Sequence, residues 1–194
     1  MPNHITNIIK FQGDENEIKK MLTDVQYEKF GLGSVDFEKI IPMPENIFKG
    51  MLGQTERALY GDDNWYDWSI KHWNTKWNSY CYDDYNNYQN DNTIRFETAW
   101  TAPHPVLAKL SEMYPDIGIF HQWADEDIGH NCGEREYKSG KITGENLPTD
   151  GSVEAYNFSA DVLDLDLKEE GFHLSPDGSE YVYSEEQEEG INLE

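Results

Sequence analysis

A chain of 194 residues is long enough for one good-sized core, and its 38 acidic against 15 basic residues give a formal net charge of −23. Thirteen per cent aromatic residues, with six Trp and twelve Tyr, exclude global disorder, which combines high charge with few aromatics. No stretch approaches the run of about 20 apolar residues that a membrane-spanning helix needs, and charge of this sign repels phosphates, which argues against direct nucleic-acid binding.

The start, Met1-Pro2-Asn3-His4, has neither a basic nor an apolar leader region, which predicts a chain without a secretory signal. Cys81 and Cys132 are the only cysteines and form no Cys-x-x-Cys pair, so reduced thiols and a cytoplasmic location are expected. The charge is uneven. Residues 145–194 hold 15 acidic residues against Lys168 alone, and the change falls at the turn-forming run from Gly144 to Gly151. The expected organisation is therefore a domain over 1–144, with an insertion at about 45–92. An acidic extension over 145–194 follows, packed on that domain, with its last ten or so residues flexible.

His4 to Phe11 reads as a strand, with Ile5, Ile9 and Phe11 on one side. Asp14 with Glu17 resembles a capping box, and Ile18, Met21, Leu22 and Val25 form one helical face. Val35, Phe37 and Ile41 alternate as a second strand, stopped by Pro42 and Pro44. An aromatic stretch from Trp65 to Trp77 and a Tyr-, Asn- and Asp-rich segment to Asn92 make up the rest of the insertion. Ile94, Phe96, Thr98 and Trp100 alternate as a strand. Thr101 is placed to cap a helix whose apolar face is Val106, Leu107, Leu110, Met113 and Tyr114. Ile117, Ile119, His121 and Trp123 form a further strand, and Glu134 to Thr143 a strand or hairpin turning at Ser139-Gly140. In the acidic region, alternating Leu163, Leu165 and Leu167 read as a strand. Phe172 to Leu174 and Tyr181 to Tyr183 flank a Ser175-Pro176-Asp177-Gly178 turn as a hairpin.

This order predicts an α+β protein: a ferredoxin-like β-α-β-β-α-β antiparallel sheet with two helices on one face, an aromatic-rich insertion between the middle strands and an acidic C-terminal β extension. Four phrases carry a resemblance. They are Met1-Pro2-Asn3-His4 with Asn7, Ile40-Ile41-Pro42-Met43-Pro44, Trp73-Asn74-Thr75-Lys76-Trp77-Asn78-Ser79-Tyr80 and Phe96-Glu97-Thr98-Ala99-Trp100-Thr101-Ala102-Pro103. Together, over roughly residues 1–140, they resemble the YubB-like family, which implies a ferredoxin-like domain of a small plasmid- or phage-carried protein with no catalytic residues to transfer. That family usually has Gly where Asn74 stands and often Pro where Ala102 stands. Asn also tolerates positive φ, so Asn74 is expected to keep the same turn.

The candidate ligand or partner surface is Trp73, Asn74, Lys76, Trp77, Asn78 and Trp100, since aromatics around a lysine make a pocket or a contact patch. The competing reading packs these rings onto the sheet as core. His121, Asp125, Glu126, Asp127, His130 and Cys132 are the densest set of metal-ligand types, yet Cys-x-x-Cys and His-x-x-x-His spacing are absent and no metal is expected. Asp83, Asp84, Asn90 and Asp91 lack the Gly and final Glu of a calcium loop. His4 reads as a histidine bonded across the sheet. No nucleophile elbow, phosphate loop or dinucleotide fingerprint is present, so no catalytic residue and no cofactor is expected. Three functions follow. The first is a non-enzymatic protein-binding adaptor of a bacterial mobile element, with a protein partner that the charge favours as basic; the plasmid or phage setting is what the resemblance implies. The second is an acidic protein that imitates DNA against host defence, the third a small-ligand sensor or enzyme using the Trp-rich insertion.

Overall fold

The computed structural model describes residues 2–82 and 92–184; the Asp83-to-Asp91 segment, read from sequence as an exposed loop, and the final ten residues lie outside them. Strand β1 (His4–Gln12) pairs antiparallel with β2 (Thr93–Ala99) on one side and β3 (Gly118–Asp125) on the other. Strands β4 (Gly133–Lys138) and β5 (Lys141–Asn146) extend the sheet to the order β2-β1-β3-β4-β5. The β4–β5 turn sits at Ser139 and Gly140, both at positive φ (49° and 77°) as a tight two-residue hairpin requires.

Register decides which residues meet. Asn7 lies opposite Phe96 and Trp123, and Ile9 opposite Ile94 and His121, so these side chains share one face. Helix α1 (Glu15–Val25) covers it. Asp14 accepts from the amides of Asn16 and Glu17, and Ile18, Met21, Leu22 and Val25 are buried. Helix α4 (His104–Met113) lies on the same core through Val106, Leu107 and Leu110. Its N-cap is Pro103, not Thr101, whose hydroxyl donates instead to the Asn74 carbonyl.

Two expected strands are corrected. Residues 35–41 make a 3-10 turn at Phe37–Lys39 and no strand. Val35 and Phe37 are buried as a strand's would be, but side chains take the backbone bonds that a neighbouring strand would otherwise provide. The Val35 amide donates to Tyr82 Oη (2.9 Å), the Phe37 amide to Asn78 Oδ1 (2.9 Å) and the Glu38 amide to Asp36 Oδ1 (3.0 Å). The segment 163–167 is likewise no strand. Helix α5 (Val153–Leu163) ends there, Ser152 capping its start and Asp164 its end in the left-handed region. Leu163, Leu165 and Leu167 still turn inward while Asp164 and Asp166 are exposed, because a helix end and a turn give the same alternation here.

Helix α5 covers the opposite face of the sheet. Ala155 and Val162 pack with Ala124, Cys132 and Ile8, the last on the face of β1 turned away from α1. Beyond it, β6 (Phe172–Leu174) and β7 (Tyr181–Tyr183) form a separate two-stranded hairpin. Tyr156 of α5 holds that hairpin through ring contacts with Phe172 and Tyr181 (5.1 and 5.2 Å).

Phe96 is fully buried between Phe37 and Tyr82. Phe96→Ala is expected to cost about 3–5 kcal/mol in urea unfolding, as for large aromatic truncations in a packed core; a change no larger than a surface substitution gives would contradict this packing.

Candidate partner surface at the α3–β2 junction

Helix α3 (Trp65–Trp73) starts at Asn64, whose side chain accepts from the amides of Tyr66 and Asp67, and stops at Asn74 in the left-handed region (φ 65°). That turn is locked to the end of β2. Asn74 Nδ2 donates to the Ala102 carbonyl (2.9 Å), Thr75 Oγ1 donates to the Ala99 carbonyl (2.8 Å), and the Ala99 amide donates back to Thr75 (3.1 Å). Trp100 is also left-handed (φ 73°), an unfavourable conformation for a bulky residue. Its amide donates to the Asn3 carbonyl (2.9 Å), and its carbonyl accepts from Asn131 Nδ2 (3.0 Å). These bonds hold the indole out at the surface, 36% exposed.

Lys76 sits between two indoles, its Nζ 4.4 Å from the Trp77 ring centre and 5.0 Å from that of Trp100. The array runs on in both directions. Tyr66 meets Trp100 edge-on at 5.9 Å, and Arg57 of helix α2 (Gln54–Tyr60) lies 5.2 Å over Tyr66. On the other side Trp77 meets Tyr80 at 6.3 Å, and Tyr80 meets His4 at 5.5 Å. His4 Nδ1 is 3.0 Å from Tyr80 Oη and 2.9 Å from Glu97 Oε2, across the β1–β2 pair. Burial, and then the Glu97 carboxylate, raise the Tyr80 phenol above its ordinary range, so it stays protonated.

Of the six sequence candidates, Lys76, Trp77 and Trp100 come together, with Asn74 as the turn beneath them. Trp73 and Asn78 point inward. The Trp73 ring is buried against Trp68 and Phe37, and its N–H donates to the Ile41 carbonyl (2.9 Å). Asn78 supports residues 35–39: besides receiving the Phe37 amide, it donates to Asp36 Oδ1 (2.8 Å). Sequence reasoning missed Tyr66, Arg57 and Tyr80. Tyr66 had a signal, standing next to Trp65 in the first turn of a capped aromatic helix. Arg57 had none.

The expected metal-ligand types do not converge. His121 is in the core on the α1 face of the sheet, whereas Cys132 lies under α5 on the other, its thiol 3.6 Å from the Ala155 carbonyl. His130 is near the surface, beside Asp127 (3.7 Å) and Tyr156. Among the described residues no three His, Cys, Asp or Glu gather.

Buried His121 and half-buried His104 form a polar cluster instead, with rings 5.7 Å apart. Asn7 spends its amino group on the Ile5 carbonyl (2.9 Å) and Thr98 Oγ1 (3.0 Å), so its oxygen accepts from His121 Nε2 (3.0 Å) and fixes the tautomer. His104 Nδ1 bonds Tyr137 Oη at 2.8 Å. Burial, with the Arg135 charge adding to it, pushes His104 down to about 4; burial, and then His104, push His121 well below its ordinary value.

Residues 72–166 match the family described as "Ferredoxin-like domain in Api92-like protein", in keeping with the mostly antiparallel α+β sheet. This family description names the Api92-like proteins, whereas the four sequence phrases resemble the YubB-like family. A crystal structure of a protein Api92 from Yersinia pseudotuberculosis is similar with a TM-score of 0.40 and 18% identity. That similarity covers 62% of this chain and 42% of the other, so the chain spans less than half of that protein. No curated protein matches. Among the described residues, no helix is long and apolar enough to cross a membrane.

Two outcomes are expected. Asn74→Gly should leave stability within about 1 kcal/mol, while Asn74→Val should cost about 1–3 kcal/mol, because only the former tolerates the left-handed turn. The second concerns pH. In the unfolded chain both histidines titrate near 6.5, so between about 6.5 and 4 the unfolded state binds more protons than the folded one. Their contribution is complete above pH 6.5 and is lost as pH falls toward 4, on the order of 3 kcal/mol for His104 alone. Urea unfolding at pH 7.5 and 4.5 should show His104→Gln to be less acid-sensitive than the parent chain.

Proposed function

We propose that the chain is a protein-binding adaptor whose recognition surface is the array centred on Lys76, Trp77 and Trp100, and that its partner is basic. The observation that carries this is the exposed Trp100, held in a left-handed conformation by bonds from Asn3 and Asn131 and flanked by Lys76 and Tyr66. Trp, Tyr and Arg dominate binding hot spots, and rings already fixed in place lose little side-chain entropy on association. The net charge of −23 would accelerate encounter with a basic protein and make capture salt-sensitive. With Trp73 turned into the core, the aromatic surface is a ridge more than a pocket, which supports a protein partner over a small ligand. On the resemblance of the first 140 or so residues, the setting we propose is a bacterial cell carrying a plasmid or phage.

A second reading, imitation of nucleic-acid charge, is supported by exposed Asp161, Asp164, Asp166, Glu169 and Glu170 on the ordered end of α5 and the turn after it. The two readings separate on one variant. Trp77→Ala with Trp100→Ala should reduce capture of the partner retained by the parent chain at least tenfold, with unfolding in urea little changed and retention weakening as salt rises. Capture that survives both substitutions but vanishes in high salt would favour charge imitation, and capture indifferent to both would overturn the adaptor reading.

A further inference from the structure

Between the open half of the sheet and the end of α5 lies a cleft of about 470 Å³, lined by His4, Thr6, Arg95, Glu97, Glu126, Ile128, Leu163, Leu165 and Glu170. Its two sides differ in chemistry. Thr6, Arg95 and Glu97 form a polar floor on the face of β1 and β2 turned away from α1, since Thr6 lies opposite Glu97 and Ile8 opposite Arg95. The wall is apolar, with Ile128, Leu163 and Leu165 all half-buried. Glu126 and Glu170 are exposed and stand at the rim. One guanidinium against three carboxylates leaves the cleft negative.

The apolar wall matters as much as the charge. A bare cation would gain from the carboxylates but nothing from the leucines. A cation on an aliphatic stem uses both, its methylenes lying on Leu163 and Leu165 with the charged head toward Glu97 and the rim. The cleft is also continuous with the aromatic array, because His4 is at once a lining residue and the contact of Tyr80, which touches Trp77. A segment lying along Trp100 and Trp77 therefore meets the cleft's edge at His4, beside Tyr80. We propose that this cleft anchors one arginine or lysine side chain of the basic partner; this rests on the adaptor reading and names the chemistry it selects.

The test uses the full chain and a short blocked peptide, acetyl-Gly-Arg-Gly-amide, with the same peptide carrying citrulline as the uncharged isostere. Saturable NMR shifts at the amides of Thr6, Glu97 and Leu165 are expected, at least tenfold weaker for citrulline. They should also be at least tenfold weaker in the Glu126→Gln, Glu170→Gln double variant, which leaves the His4–Glu97 bond intact. Leu165→Ser should weaken binding without changing charge. Shifts spread over Asp161, Asp164 and Asp166 instead, or equal binding of citrulline, would overturn the proposal. Partner capture distinguishes the two levels. If the rim variant captures the partner normally while loss of Trp77 and Trp100 abolishes capture, the cleft inference falls and the adaptor reading stands. If free butylguanidinium saturates the cleft as tightly as the peptide while partner capture ignores the rim variant, the cleft serves a small guanidinium ligand and the partner anchor is wrong.

Discussion

The pairing of β1 between β2 and β3 is the constraint on which the rest of the chain depends. Its two neighbours fix the register of Asn7 against Phe96 and Trp123, and a slip of one residue would turn Ile5, Ile9 and Phe11 away from α1 and α4. The opposite face of the same strand supplies Thr6 to the cleft and Ile8 to the α5 contact. Both helical layers are therefore positioned by one strand, and so is the chain start, where the His4 carbonyl receives the Glu126 amide and the Asn3 carbonyl the Trp100 amide.

Polar groups inside this core are arranged to specify it as much as to stabilise it. Asn7 is fully buried and its amide is satisfied by Ile5, Thr98 and His121, which ties three strands together at one point. Asp125 is nearly buried too, and accepts from Asn3, Asn131 and the Asp127 amide, so the chain start and the β3–β4 connection are held by one carboxylate. Removing one partner from such a set leaves a buried group without its bond, which is costlier than never having built the set. The same logic explains why a very acidic chain keeps neutral histidines at its centre: burial suppresses their charge, and Tyr137 and Asn7 satisfy one nitrogen of each ring.

The acidic region shows how charge and order coexist. Carboxylates at Asp161, Asp164 and Asp166 point outward while Val162 and Leu167 are buried, so the surface is charged and its backbone is fixed. Fixed carboxylates differ from a flexible acidic brush in geometry. They can be complementary to one partner's arrangement of cations, where a brush can only raise local concentration.

Much of this was legible in the residues. The two-residue periods of β1, β2 and β3, the capped face of α1, the Ser139-Gly140 turn and the Pro-Asp-Gly hairpin each follow from local chemistry, and local chemistry is what a sequence displays. Helix α5 had its signal too, in Ser152 followed by Ala155, Ser159 and Val162 on one side, but three alternating leucines at its end read more loudly as a strand. Residues 35–41 were undecidable from pattern alone, because burial of Val35 and Phe37 is the same in a strand and in a 3-10 turn. The decision came from Asn78 and Tyr82, more than forty positions away, which supply the hydrogen bonds a strand neighbour would have made. The candidate surface divides in the same way. Composition and spacing singled out Trp73, Lys76, Trp77 and Trp100 as candidates; the structure brings only the last three together. Which indole faces water could not be read there, because the left-handed turns at Asn74 and Trp100, set by contacts with Ala102, Asn3 and Asn131, send Trp73 inward and Trp100 out.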